Sequence, residues 1–145
     1  MTSREHVIAC ARSFLGVRFA HQGRSAQHGL DCLGLLLVSA QKAGICLQGC
    51  SPLQLDRRDY GTWPDQDFLQ EMLSRYLAVT SHPEPGDVVL LRIEGRAQHL
   101  ALISNYPEPG ELGMIHAYAP ARRVVEHRFD EHWQQRLHAT YRLPH

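Results

Sequence analysis

The strongest local signal in the chain is the stretch Gly29-Leu30-Asp31-Cys32-Leu33-Gly34-Leu35. It predicts a helix that begins at Asp31 or Cys32 and runs to about Ala43. The body of this helix, LGLLLVSA, is apolar on most faces, which is typical of a centrally buried helix. The stretch therefore predicts a thiol in the first turn of a buried helix.

Patterns on either side of this helix predict an α+β fold, with helices in the first half and strands in the second. Two further helices are expected, one following a Thr2–Glu5 capping box and one over about Pro64–Ala78. Residues 17–30 and 44–64 are expected to be loops. Apolar runs predict five strands in an antiparallel meander: DVVLLRI (87–93), RAQHLALIS (96–104), GMIHAYA (113–119), RRVVEHRF (122–129) and RLHATYRL (136–143). We expect a single domain over 1–145, with a helical half at about 1–80 and a sheet half at about 86–143.

Composition excludes several classes of protein. The 145 residues carry 15 Lys plus Arg against 15 Asp plus Glu, so the formal charge is zero and a nucleic-acid partner is not expected. No apolar stretch is long enough to predict membrane insertion. The first residues lack a secretory signal, so we expect synthesis in the cytoplasm. Any role outside the cell would then require a separate route of release.

The four cysteines differ in their predicted roles. Without a signal peptide, a disulfide framework is not expected. Cys46 and Cys50 are spaced like half of a metal site, but no second pair stands at zinc-finger spacing, so no metal or cofactor is predicted. Cys32 is the candidate nucleophile, because N–H groups and the dipole at a helix start stabilise a thiolate. The charge of Asp31 opposes that effect, and the sequence does not decide between them.

A thiol nucleophile needs a base and a group that orients the base. His99 is the candidate base, and His116 on the next predicted strand is the candidate orienting residue. If the intervening loop pairs Ser104 with Gly113, paired positions sum to 217. The two histidines are then diagonal neighbours on one face of the sheet, close enough for their rings to meet. His127 alternates with apolar residues and is interpreted as part of a core face.

The loop before the cysteine supplies the candidate substrate-binding residues, which are Phe19, His21, Gln22, Arg24 and Asp31. Arg18 and Arg24 are candidates to bind substrate carboxylates through two hydrogen bonds each. Solvated loop arginines are the alternative interpretation of both.

Four motifs in order resemble the NlpC/P60 cysteine peptidases. GLDCLGLLLVSAQKAG resembles the Asp-Cys-Ser-Gly segment of that family, and PGDVVLL resembles its Pro-Gly-Asp strand. HLALIS and MIHA resemble the two strands that carry the family's histidine and third polar residue. The stretch FAHQGRSAQHGLDCLGLL is most similar to the branch associated with phage or prophage tails.

This resemblance implies a papain-like fold with the nucleophile helix packed on the antiparallel sheet. It implies cleavage of peptidoglycan stem peptides, commonly at D-γ-glutamyl bonds to a diamino acid, with Cys32 as nucleophile, His99 as base and His116 as orienting residue. Phage tail proteins are possible partners under the same resemblance. The chain departs from the family at Leu33, which replaces a serine, and near Phe19, where a tyrosine hydroxyl is absent.

Three alternatives stay open at the level of sequence. The same three residues, Cys32, His99 and His116, would serve equally well in an amidase, transacylase or toxin that acts on another acyl substrate. A non-catalytic component of a phage tail could keep the peptidase fold. A redox or metal protein would instead use Cys46 and Cys50.

Overall fold

The computed structural model describes residues 2–61 and 66–144. Within them the helices are α1 (Ser3–Arg12), α2 (Cys32–Lys42), α3 (Gln66–Tyr76) and α4 (Glu131–Gln134). The strands are β1 (Arg24–Ser25), β2 (Gly29–Leu30), β3 (Ala78–Thr80), β4 (Asp87–Ile93), β5 (Arg96–Ser104), β6 (Gly113–Tyr118), β7 (Arg123–Arg128) and β8 (Leu137–Arg142). Short 3₁₀ turns cover Pro52–Leu55 and Ala119–Ala121.

The α+β prediction is confirmed, and the N-terminal helix begins as its sequence indicates. The Thr2 hydroxyl accepts a hydrogen bond from the Glu5 N–H at 3.1 Å, and the Glu5 carboxylate accepts one from the Thr2 N–H at 2.8 Å. This capping box satisfies two N–H groups that the helix itself leaves free. The predicted start of the third helix at Pro64 lies outside the described residues.

The main sheet differs from the prediction in strand number and order. It has six strands, in the order β3-β8-β4-β5-β6-β7, rather than five in a simple meander. The additional strand β3 replaces the predicted end of the third helix, because Ala78-Val79-Thr80 pairs with β8 and its β-branched residues suit a strand. The last strand, β8, follows α4 and runs antiparallel to β4. It pairs with the edge of β4 that β5 leaves free.

The sheet is covered on both faces, which explains the unbroken apolar run of β4. Val88 and Leu90 belong to the cluster that includes the buried side of α2, whereas Val89 and Leu91 belong to a second cluster that contains Trp133. All four are fully buried. Since neighbouring strand residues point to opposite faces, each residue on β5 or β6 can be assigned to the α2 face or the Trp133 face.

The segment before α2 was expected to be irregular, but part of it forms a small hairpin of β1 and β2. Arg24 pairs with Leu30, and Ser25 pairs with Gly29. Gly29 has a φ of +111°, which favours glycine. The hairpin ends one residue before the N-cap of α2 and therefore fixes the direction in which this helix starts.

Candidate active site

Cys32 is the first residue of α2 and is 9% exposed. It lines one small cavity together with Leu100 of β5, and the backbone N–H groups of Leu33 and Leu100 favour the charged form of its thiol. Leu100 follows His99 on β5, so the start of the helix meets the strand directly beside the candidate base. The fold therefore brings the predicted nucleophile to the strand that carries the predicted base.

Cys32 and the ring of His99 lie towards different faces of β5. Leu100 belongs to the cluster on the α2 face, whereas the His99 ring lies against Trp133, with 6.3 Å between ring centroids. The pairing of β5 with β6 extends from Leu102 to Ser104, so the sulfur of Cys32 docks at a part of β5 that lies before this pairing begins. Among residues 2–61 and 66–144, no imidazole hydrogen-bonds the thiol.

Three histidines form a continuous chain of hydrogen bonds on the Trp133 face. His99 Nε2 lies 2.6 Å from His116 Nδ1, and His116 Nε2 lies 2.8 Å from His127 Nε2. The chain ends at the carbonyl of Arg128, which lies 2.9 Å from His127 Nδ1. Ser104 pairs with Gly113, so the register of β5 with β6 is the predicted one, in which the numbers of paired residues sum to 217. This register underlies the contact of His99 with His116.

Aromatic rings enclose these histidines. The Trp133 ring centroid lies 5.2 Å from that of His116 and 5.7 Å from that of His127. Tyr118 stacks on His116 with 5.0 Å between ring centroids and 29° between ring planes. His99 is 2% exposed and His116 is fully buried, so packing as well as hydrogen bonding holds the rings in place.

Burial keeps both halves of the site uncharged at rest. It lowers the pKa of His99 to about 3, and it lowers the pKa of His116 well below the ordinary value. Burial, with a contribution from the charge of Asp31, raises the pKa of Cys32 to about 12. Burial and the charge of Asp31 thus both oppose a resting thiolate at the helix start, whereas the nearby backbone N–H groups favour one.

Asp31 and Arg24 form a buried ion pair next to the candidate nucleophile Cys32. Asp31 Oδ1 accepts hydrogen bonds from the Gly34 N–H at 2.7 Å and from Arg24 Nη1 at 2.9 Å. Asp31 Oδ2 accepts one from the Tyr60 hydroxyl at 2.6 Å. Arg24 Nε also donates to Asp56 at 2.9 Å. These contacts join the hairpin, the N-cap and the 44–61 loop in one polar network.

The remaining substrate-binding candidates lie around this network. The Gln22 N–H donates to Asp31 Oδ2 at 2.9 Å. His21 is exposed, and its ring meets the edge of Tyr60 with 5.6 Å between centroids. Phe19 is half-buried against the helical core, and Arg18 is exposed. Of the two candidate arginines, Arg18 is open to solvent, whereas the Arg24 side chain is only 7% exposed and paired within the protein.

Sequence reasoning missed two contributors to the site. His127 was interpreted only as a core residue, although the diagonal rule that linked His99 to His116 applies equally to β6 and β7. There Met114 pairs with His127, which makes His127 the diagonal neighbour of His116. Tyr60 comes from a loop without periodic pattern, and no local signal indicated its contact with Asp31.

The other cysteines lie away from this arrangement. All four cysteines are free, with Cys10 buried, Cys46 exposed and Cys50 half-buried. In the described part of the chain, no three His, Cys, Asp or Glu side chains are arranged to hold a metal ion. None of the described helices is both long and apolar enough to span a bilayer.

A family model supplies the decisive comparison. The model of the NlpC/P60 family matches residues 16–142, which include α2 and the three hydrogen-bonded histidines His99, His116 and His127. This chain belongs to the NlpC/P60 family. Membership agrees with the order of motifs in the sequence and with the packing of α2 on the antiparallel sheet.

Several solved structures share the fold. An NlpC/P60 family protein from Bacillus cereus ATCC 10987 is 21% identical with a TM-score of 0.67, covering 97% of this chain and 40% of that one. The peptidoglycan hydrolase RipB from Mycobacterium tuberculosis is 19% identical with a TM-score of 0.58, covering 99% and 66%. The NlpC/P60 domain of the peptidoglycan hydrolase SagA is 18% identical with a TM-score of 0.57, covering 97% and 98%.

The extent of these matches differs. The chain spans 40% of the Bacillus cereus protein but nearly the whole SagA domain, so the shared part is the NlpC/P60 domain. No curated protein matches the sequence.

Proposed function

We propose that this chain is a cysteine peptidase that hydrolyses peptidoglycan stem peptides. Cys32 is the nucleophile, His99 the base and His116 the residue that orients the base. The observation that carries the proposal is the 2.6 Å contact of His99 with His116 on the strand where Cys32 docks. RipB and SagA, which share the fold, are described as peptidoglycan hydrolases, and this supports the choice of substrate.

The reaction is acyl transfer through a thioester. His99 accepts the thiol proton while the Cys32 sulfur attacks the amide carbonyl carbon. Backbone N–H groups at the start of α2 stabilise the oxyanion. The C–N bond then breaks as His99 returns its proton to the leaving amine. Water next loses a proton to His99, attacks the thioester and releases the carboxylic acid with the free thiol.

The protonation states of Cys32 and His99 in the free protein determine at which step the thiolate forms. A thiol with a pKa of about 12 and an imidazole with a pKa of about 3 do not exchange a proton at neutral pH. The thiolate therefore develops together with its attack on a bound substrate.

The proposal is tested by digestion of purified murein with the whole protein, followed by mass spectrometry of the soluble peptides. We expect release of stem-peptide fragments with new amino termini. Cys32→Ala should abolish release, whereas Cys46→Ala, which changes an exposed cysteine outside the site, should leave it intact. Hydrolysis that survives Cys32→Ala would overturn the assignment of the nucleophile.

The finer specificity that we propose is a D-γ-glutamyl bond to a diamino acid. A soluble tripeptide of L-Ala, D-γ-Glu and diaminopimelate should yield the L-Ala–D-Glu dipeptide and free diamino acid. An amidase, transacylase or toxin for another acyl substrate would cleave unrelated amides or thioesters and leave this tripeptide intact. A non-catalytic tail component would cleave none of these substrates.

We also propose that the protein, as one catalytic domain, acts with a phage or prophage tail. The aromatic-X-His-Gln-Gly-Arg stretch at Phe19–Arg24 motivates this proposal. The protein would then travel from the cytoplasm to the wall with a virion or after lysis. An antibody against the chain should detect it in purified particles, and its absence from all particles would contradict this role.

A further inference from the structure

We propose that His127 is a positioning residue that fixes the tautomer of His99 through His116, so that Nδ1 of His99 is the atom that accepts the thiol proton. The inference rests on the proposed function, because it extends the proposed Cys32–His99–His116 arrangement by one further residue. The hydrogen-bond chain that ends at the Arg128 carbonyl carries it.

The direction of each hydrogen bond follows from the end of the chain. The carbonyl oxygen of Arg128 can only accept, so His127 Nδ1, at 2.9 Å, must carry the hydrogen. A neutral imidazole has one N–H, which makes His127 Nε2 an acceptor. His116 Nε2, at 2.8 Å, is therefore the donor of the next bond.

The same rule applies to the next ring. Because His116 carries its hydrogen on Nε2, its Nδ1 is an acceptor, and His99 Nε2 must donate across the 2.6 Å contact. The hydrogen of His99 is thus on Nε2, and its Nδ1 keeps a free lone pair. Nδ1 is the ring nitrogen nearer the backbone, and the backbone of β5 is where the sulfur of Cys32 docks beside Leu100.

Burial keeps the chain in this state. His99 and His116 are almost wholly enclosed, and burial lowers the pKa of each, so the neutral forms of these two rings are favoured. Trp133 contacts all three rings, but its indole can only donate and offers no acceptor to His116. Among the described residues, His127 is the group that accepts from His116 Nε2.

A hydrogen-bond donor at position 127 would reverse the direction of every hydrogen bond in this series. If His116 Nε2 had to accept, its hydrogen would move to Nδ1, and His99 Nε2 would become an acceptor. The hydrogen of His99 would then lie on Nδ1, where it would block proton transfer from the thiol. The arrangement therefore depends on an acceptor at this position and not simply on a ring.

The direct test is the tautomer of His99 in the whole protein with ¹⁵N-labelled histidine, read from long-range ¹H–¹⁵N spectra. We expect protonated Nε2 and unprotonated Nδ1 at His99, and the same at His116. Protonated Nδ1 at His99 would overturn the inference. This measurement needs no substrate, so it decides the inference even if murein is not hydrolysed and the proposed function fails.

Variants of His127 separate the acceptor from the ring. His127→Gln keeps an oxygen that can accept from His116 and should retain both the His99 tautomer and most of the activity. His127→Phe keeps a ring without an acceptor and should give mixed tautomers, with kcat lowered roughly 100-fold and KM little changed. His132→Phe is the matched control, because His132 also packs on Trp133 but lies outside the chain. Equal kcat values and tautomers for His127→Phe and His132→Phe would contradict the proposal.

Discussion

The Nε2 atom of His99 lies 2.6 Å from the Nδ1 atom of His116, although the residues are 17 positions apart in the chain. The contact depends on the register of β5 with β6, in which Ser104 pairs with Gly113. A slip of one residue would turn one ring to the opposite face of the sheet. The sequence of the long loop between these strands can therefore vary, provided that Ser104 still pairs with Gly113.

Removal of His116 tests this contact. His116→Leu leaves the His99 N–H buried without an acceptor, so we expect the free energy of unfolding to fall by roughly 1–3 kcal/mol. We expect kcat on murein to fall by roughly 10²- to 10⁴-fold, because the proposed base His99 loses its proposed orienting partner. Urea denaturation and peptide-release kinetics measure the two effects. His138→Leu, at an exposed histidine, is the control and should change neither quantity.

The buried histidines predict that acid weakens the fold. Burial lowers the pKa of His99 from 6.5 to about 3, so between these values the unfolded chain binds more protons than the folded one. The stabilising contribution is present above about pH 6.5 and is lost as pH falls towards 3. Urea unfolding midpoints should therefore decline between pH 7 and pH 5. His99→Phe should flatten this decline, and an unchanged slope in that variant would contradict the assignment.

The thiol of Cys32 should react slowly in the absence of substrate. Burial and Asp31 raise its pKa to about 12, so almost no thiolate is present at neutral pH. We expect iodoacetamide at pH 7 to label the exposed Cys46 before Cys32, with mass spectrometry of peptides giving both rates. Labelling of Cys32 should accelerate about tenfold per pH unit up to pH 9, following the thiolate fraction. Selective labelling of Cys32 at pH 7 would instead indicate a stabilised thiolate.

Breaking the ion pair of Asp31 with Arg24 should cost more than breaking a surface pair. Asp31→Asn keeps a side-chain oxygen that caps α2 but removes one of the two carboxylates that contact Arg24, which leaves Asp56 as its partner. We expect a loss of roughly 1–3 kcal/mol in the free energy of unfolding, because buried hydrogen bonds to the Asp31 carboxylate are lost. Asp59→Asn is the matched control, since Asp59 pairs with Arg57 and its side chain is 66% exposed. Its effect should stay within about 1 kcal/mol. Similar unfolding energies for the two variants would show that Arg24 finds other partners.

Sequence patterns predicted the parts of this molecule that rest on local rules. The buried helix at Cys32, the strand over Asp87–Ile93 and the β5–β6 register follow from apolar periodicity and turn placement. The return of β8 beside β4 depends on which strand edge remains unpaired, and no local pattern encodes that choice. Tyr60 likewise reaches Asp31 only because the 44–61 loop folds back over the helix start.

The tight approach of the hairpin to α2 provides a last prediction. Gly34 lies in the first turn of α2, where an added Cβ would meet the carbonyl oxygen of Gly23 at 2.1 Å. A backbone atom cannot move aside as a side chain does, so Gly34→Ala should displace the hairpin and lower the unfolding free energy by roughly 1–3 kcal/mol, despite the better helix propensity of alanine. At Gly44 an added Cβ would meet open space, and the substitution would only strain the backbone at a φ of +75°. Gly44→Ala should therefore lower the unfolding free energy by about 1 kcal/mol and keep full activity. Thermal unfolding and murein digestion compare the two, and a fully active Gly34→Ala would show that the site does not depend on this contact.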